Sequence, residues 1–368
     1  MVSLARRAGH LEGYQSGYRE GYRLGGYQAL LERIAGPALP SYDLKVVYIP
    51  QGFESIDDGI ISGLRAMVRE LIIGTPGSIT ELALREQPDV VLILNGLHVF
   101  PDHLELQMQQ LRERGIRTAI WFVDDPYFTE DTSRLCLHFD YVFTHELSCV
   151  ELYRQRGARQ VHYLPLAVHP ELFRPVHAGP AYQSDICFIG NAFRNRAALF
   201  DALAPFLKGK KVRIIGGFWQ RLARYKELSP FVYSGFIPPA ETVKFYNGAK
   251  MVINLHRPCE YGEDNRNSLH IAGRSINPRT FEINACGTLQ ITDVREDLSV
   301  YYTPGVDIET FGSVQELKNK LAYYLAHEEH RRSIAMKGLE TTLSRHTYAH
   351  RLPRLLDILS VQEAAARK

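Results

Sequence analysis

Several things are scarce in this sequence, and each scarcity rules something out. There are five cysteines, Cys136, Cys149, Cys187, Cys259 and Cys286, and no CxxC pair among them. An odd, scattered set in a chain of 368 residues is not a disulfide framework or a zinc ribbon, and reads as reduced thiols of a cytosol. No apolar run approaches the roughly 20 residues needed to cross a bilayer. Arg6 and Arg7 have no apolar segment behind them, so they do not open a secretory leader. Charge of either sign is not in excess: the formal net charge of +2 gives no global field for nucleic acid or an acidic membrane. The expectation is a cytoplasmic, soluble protein with no transmembrane segment and no nucleic-acid partner.

The length suits two domains of ordinary size. Residues 1–40 stand apart. Gly13-Tyr14, Gly17-Tyr18, Gly21-Tyr22 and Gly26-Tyr27 form a short repeat. On a helix this spacing puts glycines on one face and tyrosines on the next. Each glycine lowers helix propensity by about 1 kcal/mol relative to alanine, so such a helix needs something to pack on. That support is either its own domain or a partner, which makes a homodimer or protein-docking role one expectation for this segment.

From residue 45 the pattern becomes alternating strand and helix. Residues 45–49, 89–94, 118–123, 141–144 and 161–164 read as strands, with helical spacing over 60–71, 103–114 and 146–155. The run DVVLIL at 89–94 has no polar alternation, as expected of a parallel strand covered on both faces. Three loops at strand ends are polar: 95–98, 124–127 and 145–146. Residues 165–180 carry four prolines and read as a linker. A second α/β unit follows, with strands at 185–189, 211–215 and 250–255, a long polar loop over 258–277, and helices at 314–326, 330–343 and 348–359.

Within it, residues 275–293, SINPRTFEINACGTLQITD, organise the rest. Asn277 is placed as an N-cap, Pro278 at the first helical position, and Gly287 ends the helix before a buried strand. A helix start after an open loop offers N–H groups to an anion. Arg279 adds a charge there, and Glu282, one turn on, is placed to accept hydrogen bonds from a sugar diol.

PRTFEINACGT resembles the donor-site motif of GT-B glycosyltransferases of the family-4-like group. The wider run NPRTFE…ACGTLQITDVREDL…YYTPG, with HTYAHRL near the C-terminus, is similar to the CgeB/YkvP spore-maturation glycosyltransferase-like family. The resemblance is strongest over residues 183–359. It implies an α/β fold of the GT-B type: two Rossmann-like domains facing a cleft, with an N-terminal helical extension over 1–40, an acceptor domain over 41–175, a donor domain over 176–345 and a C-terminal helix over 346–368 crossing back. It also implies transfer from a nucleotide-diphosphate sugar, UDP by default, with retention of configuration and no metal or other cofactor. In these families the glutamate matching Glu282 holds the donor ribose. The second glutamate many members carry eight positions earlier is Arg274 here.

Candidate donor-site residues are Gly190, Asn191, Arg194 and Arg196 after one strand, with Arg196 best placed for the diphosphate. Gly235, Phe236 and Ile237 resemble the loop that reads the base. His256, Asn277, Pro278, Arg279, Thr280 and Glu282 complete the set. Asp124 and Asp125, with His256, are the catalytic candidates. The adjacent acids read as an acceptor-side carboxylate, as a cap, or as a metal site like the Asp-x-Asp motif of GT-A enzymes. The acceptor is open among a glycan, a protein and a small molecule. Two other readings stand beside transfer: a non-catalytic sugar-nucleotide or glycan-binding protein of a spore-surface assembly, and a sugar-nucleotide 2-epimerase.

Overall fold

The computed structural model describes residues 2–361; the last seven residues of the expected C-terminal segment lie outside it. Strands β1 (Tyr42–Ile49), β2 (Val68–Ile73), β3 (Val90–Leu94), β4 (Arg117–Phe122), β5 (Tyr141–Thr144) and β6 (Gln160–Tyr163) form one parallel sheet in the order β2-β1-β3-β4-β5-β6. Strands β7 (Ser184–Ile189), β8 (Val212–Gly216), β9 (Val232–Ser234), β10 (Ala249–Asn254), β11 (Leu289–Asp293) and β12 (Glu309–Phe311) form a second, in the order β12-β11-β10-β7-β8-β9. Every pairing is parallel, so all loops at one edge of each sheet follow strand C-termini, where open α/β sheets bind ligands.

Each sheet is covered on both faces. All five residues of β3 are buried, which is why its sequence does not alternate. The helix Glu54–Met67 begins earlier than the helical spacing over 60–71 suggests and ends four residues before it, because Val68 already pairs with Tyr42 as the start of β2. That edge strand, and the helix Ile79–Glu86 after it, are not evident from periodicity.

The helix Tyr348–Ser360 crosses back from the second lobe. Tyr348, Leu352, Leu355, Leu356 and Leu359 enter the core of the first lobe. Gly59 and Gly63, one turn apart, make room: a Cβ at either would come within 2.3 Å of the Tyr348 ring or 2.4 Å of Leu352. The N-terminal helix Val2–Arg33 packs on the second lobe through its C-terminal end, where Tyr27 and Leu30 join the core. Tyr27 is buried there and donates to the Gly287 carbonyl at 2.5 Å. Gly287 has φ +66, and a Cβ on it would meet the Tyr27 ring at 2.8 Å. Tyr14, Tyr18 and Tyr22 remain exposed, and Gly13, Gly17 and Gly21 have open space beside them.

Candidate active site

The helix Pro278–Ala285 starts as the sequence indicates, with Asn277 as N-cap accepting from the Thr280 N–H at 3.1 Å. Its N-terminus is more closed than an open anion site. The Asn277 N–H donates to His256 Nε2 at 2.9 Å, and the Asn277 side chain is cross-bonded to Asn254 at 3.0 Å. Thr280 is fully buried in the same network. Asn277 and Thr280 therefore set the helix in place instead of facing a ligand, and Pro278 has no N–H to offer. The Arg279 N–H and side chain are what the turn leaves open.

Arg196 is buried on the first turn of the helix Arg194–Leu207. Its guanidinium donates to the carbonyls of Leu255 at 3.0 Å and Asn191 at 3.1 Å, and no carboxylate pairs with it among the described residues. Burial first, and then the neighbouring Arg279 cation, push its pKa down to about 9. Phe193 lies between two cations: Arg196 sits 4.9 Å from its ring centre and Arg257 4.6 Å. Arg257 also stacks on Tyr127 at 4.5 Å and donates to Asn265 and to the Asp264 carbonyl. Its pKa is lowered by burial, with Tyr127, Asp124 and Asp264 opposing. Neither Arg257 nor Arg279 has a carboxylate ion-pair partner among the described residues. Arg196 thus has two guanidiniums for neighbours, Arg257 across the Phe193 ring and Arg279, and none of the three is ion-paired to a carboxylate among the described residues, an arrangement that favours a multiply charged anion.

Gly190 and Asn191 follow β7 and press against the turn after β8. A Cβ on Gly216 would lie 2.2 Å from the Gly190 carbonyl oxygen, and Asn191 Oδ1 accepts from the Gly217 N–H at 2.9 Å. Gly235 (φ +119) joins them by donating to the Gly216 carbonyl. Phe236 beside it is 86% exposed, whereas the Ile237 side chain is buried in the core, leaving only its backbone for a ligand. Arg194 faces out, paired with Glu263 at 3.0 Å, and is not one of the converging cations.

Glu282 faces the gap between lobes. It is 9% exposed and its carboxylate accepts one hydrogen bond, from Ser55 of the first lobe at 3.3 Å. Burial raises its pKa, with Arg279 opposing. A buried carboxylate with so few donors has capacity left for hydroxyls.

Two of the three catalytic candidates are structural. Asp125 is wholly buried and takes hydroxyls from Thr144 and Tyr153, each at 2.6 Å, and from Thr132 at 3.3 Å. It cannot reach a substrate. His256 has both ring nitrogens engaged. Nε2 accepts from Asn277, so Nδ1 carries the proton and donates to Asp293 at 2.6 Å. Its pKa is lowered by burial. The Asp293 carboxyl, which burial alone would raise, is carried down to about 2 by His256 and Arg295. Asp124 is the acid that stays at the cleft, its Oδ2 accepting from Asn95 at 2.8 Å.

The loop 255–277 lies across the first lobe. Arg266 donates its N–H to the Tyr127 carbonyl at 2.8 Å, and Thr129 donates to Asn267 at 2.7 Å. Glu146 clasps the same loop by accepting the N–H groups of Arg274 at 3.0 Å and Ser275 at 3.1 Å. Sequence alone points to residues 145–146 as a polar loop, but neither the clasp nor Ser55 has a local signal.

Known structures share this architecture. HepE from Anabaena, solved in complex with UDP-glucose, superposes with a TM-score of 0.60 at 12% identity, covering 86% of this chain and 99% of HepE. Sucrose-phosphate synthase from Thermosynechococcus elongatus gives 0.59 at 12% identity, covering 88% and 99%. The fold is that of the GT-B glycosyltransferases. Residues 194–357 match the family described as glycosyl transferase-like, and spore protein CgeB of Bacillus subtilis is 30% identical over 267 residues, 71% of this chain and 80% of CgeB. The chain belongs to the CgeB-like glycosyltransferase family.

Proposed function

We propose that this enzyme moves a sugar from a uridine diphosphate sugar, held mainly on the second lobe, to a hydroxyl of an acceptor carried on the first. One observation carries the reading: Arg196 neighbours both Arg257 and Arg279 with no carboxylate ion-paired to any of the three among the described residues, and Arg279 in turn neighbours an under-bonded Glu282. The diphosphate gains charge as it departs, and fixed cations stabilise that state more than the ground state. Glu282 holds the ribose diol and Phe236 stacks on the base. UDP as the nucleotide is supported by the likeness to HepE. In this reading the three guanidiniums take the role a divalent ion has in other transferases, and the configuration at the anomeric carbon is retained. The acceptor is a glycan, a protein or a small molecule, and the likeness to CgeB favours one destined for a spore or cell surface.

A panel of nucleotides and nucleotide sugars, run in chelator with melting temperature as readout, tests this directly. A ligand that binds only the folded chain raises its Tm. UDP and one or more UDP-sugars are expected to raise it, and Glu282→Ala is expected to shrink the shift by weakening binding about tenfold or more. An unchanged shift in Glu282→Ala removes the ribose assignment, and no shift with any nucleotide overturns the proposal.

A further inference from the structure

A cavity of about 490 Å³ lies at the opposite edge of the second sheet from the donor-side guanidiniums. Its floor is the first residues of three strands: Ser184 of β7, Ala249 of β10 and Leu289 of β11. The N-terminal helix Val2–Arg33 forms one wall with Arg19, Arg23 and Tyr27. The helix Glu328–Arg345 forms another with Arg331, Arg332 and Ala335. Open parallel sheets place their cleft ligands beyond the strand C-termini, so this cavity is no part of the donor site.

The charges around it do not balance. Three of the cations are paired: Arg23 with Glu20 at 2.7 Å, Lys250 with Asp185 at 2.7 Å, and Arg332 with Glu328 at 2.6 Å. Those three acids are all the carboxylates that line the cavity among the described residues. Arg19, Lys211 and Arg331 line it too, and none of them has a carboxylate partner among the described residues. Arg331 is only 7% exposed, and its guanidinium makes one hydrogen bond, to the Tyr324 carbonyl at 2.7 Å. Burial lowers its pKa, with Glu328 opposing. A buried guanidinium ordinarily has a counter-charge, because an unpaired ion is costly to desolvate. Ser184 in the floor is also buried, and its Oγ has no hydrogen-bond partner.

We propose that this cavity is a second anion site, built for a phosphate group carried on a small polyol such as a hexose. Arg331 and Lys211 hold the phosphate from the lobe and Arg19 holds it from the N-terminal helix. The ligand therefore ties that helix down about two turns before its Tyr27 anchor. A phosphate monoester brings about two negative charges near pH 7 and three strong acceptor oxygens to the unpaired cations. The volume is that of a small-molecule site and exceeds what a bare phosphate fills. Gln15 and Gln183 also line the cavity, and their side chains make no hydrogen bond among the described residues, so their amides are open to hydroxyls. This site stands or falls apart from the donor reading, since none of its residues belongs to that set.

The test is run on the full chain with UDP saturating the donor site and ionic strength fixed by sodium chloride. Glucose 6-phosphate, inorganic phosphate and glucose are titrated separately, with Tm and amide hydrogen exchange as readouts. Glucose 6-phosphate is expected to raise the Tm and to slow exchange across residues 15–27, and glucose to do neither. Arg19 and Lys211 are exposed, so replacing them leaves the fold intact. Arg19→Ala with Lys211→Ala should weaken glucose 6-phosphate binding about tenfold or more, with the UDP-induced Tm shift unchanged. Inorganic phosphate should act more weakly than the ester; an equal response overturns the polyol assignment and makes the free anion the ligand. No Tm response to either phosphate compound overturns the proposal. So does a response retained in full by the double variant, or protection that falls on residues 278–285 instead of 15–27.

Discussion

The second lobe places Arg196, Arg257 and Arg279 in the loops and helix starts that follow its strands, while the first places Asn95, Asp124, Asp125 and Glu146 just past its own. Both are six-stranded parallel sheets with helices on two faces, so the plan of the fold does not choose the ligand. The residues just past the strands do. On the second lobe they leave cations unpaired; on the first they pin acids by hydrogen bonds from Asn95, Tyr153 and the backbone of residues 274–275. In the proposed reading, one side is fitted for a leaving anion and the other for a neutral hydroxyl. The contrast repeats at the scale of one peptide bond: Asp124 remains at the cleft, whereas Asp125 turns into the core.

The largest effect should come from erasing the cationic side. Arg196→Met with Arg279→Met should lower kcat/KM for the donor by about 10³-fold, near 4 kcal/mol, and abolish the UDP-induced Tm shift. A double variant that still binds UDP as before would remove the distinction between the lobes.

Stability against pH sharpens the comparison at the joint between them. Burial first, and then Arg351, push the His346 imidazole down to about 4, while its Nε2–H donates to the Tyr301 carbonyl at 3.2 Å. Between pH about 6.5 and 4 the unfolded chain binds a proton that the folded His346 refuses. Its contribution to stability is therefore complete above about 6.5 and is lost as pH falls toward 4, on the order of 3 kcal/mol at full swing. His346→Phe should flatten that part of the urea-midpoint profile; an unchanged slope refutes the assignment.

The smallest expected effect belongs to Asp125. Asp125→Ala leaves the buried hydroxyls of Tyr153 and Thr144 without an acceptor and should cost about 2 kcal/mol in urea unfolding. The folded variant should bind UDP as before. A loss of turnover beyond the loss of folded protein would return Asp125 to the catalytic set.

Much of the scaffold was legible beforehand. The unbroken apolar run of β3 announced a sheet covered on both faces, and Asn277, Pro278 and Gly287 bounded their helix correctly. These are local signals, set by capping and by side-chain period. Strand β2 was missed because VRELII follows a helix with no break residue, and its pairing with β1 is a long-range contact. The candidate site was legible as a set of loops but not as a set of roles. His256 looks like a cleft histidine until Asn277 and Asp293 are seen on its two nitrogens.

The sequence by itself determined the two-lobed α/β plan, the capped helix at 278 and the family, because period, caps and turn residues act over a few positions. The tertiary structure alone decided which charges go unpaired. Whether Arg196 meets a carboxylate or Asp125 a solvent molecule depends on residues tens of positions away, and burial weights the answer by making an unpartnered polar group costly.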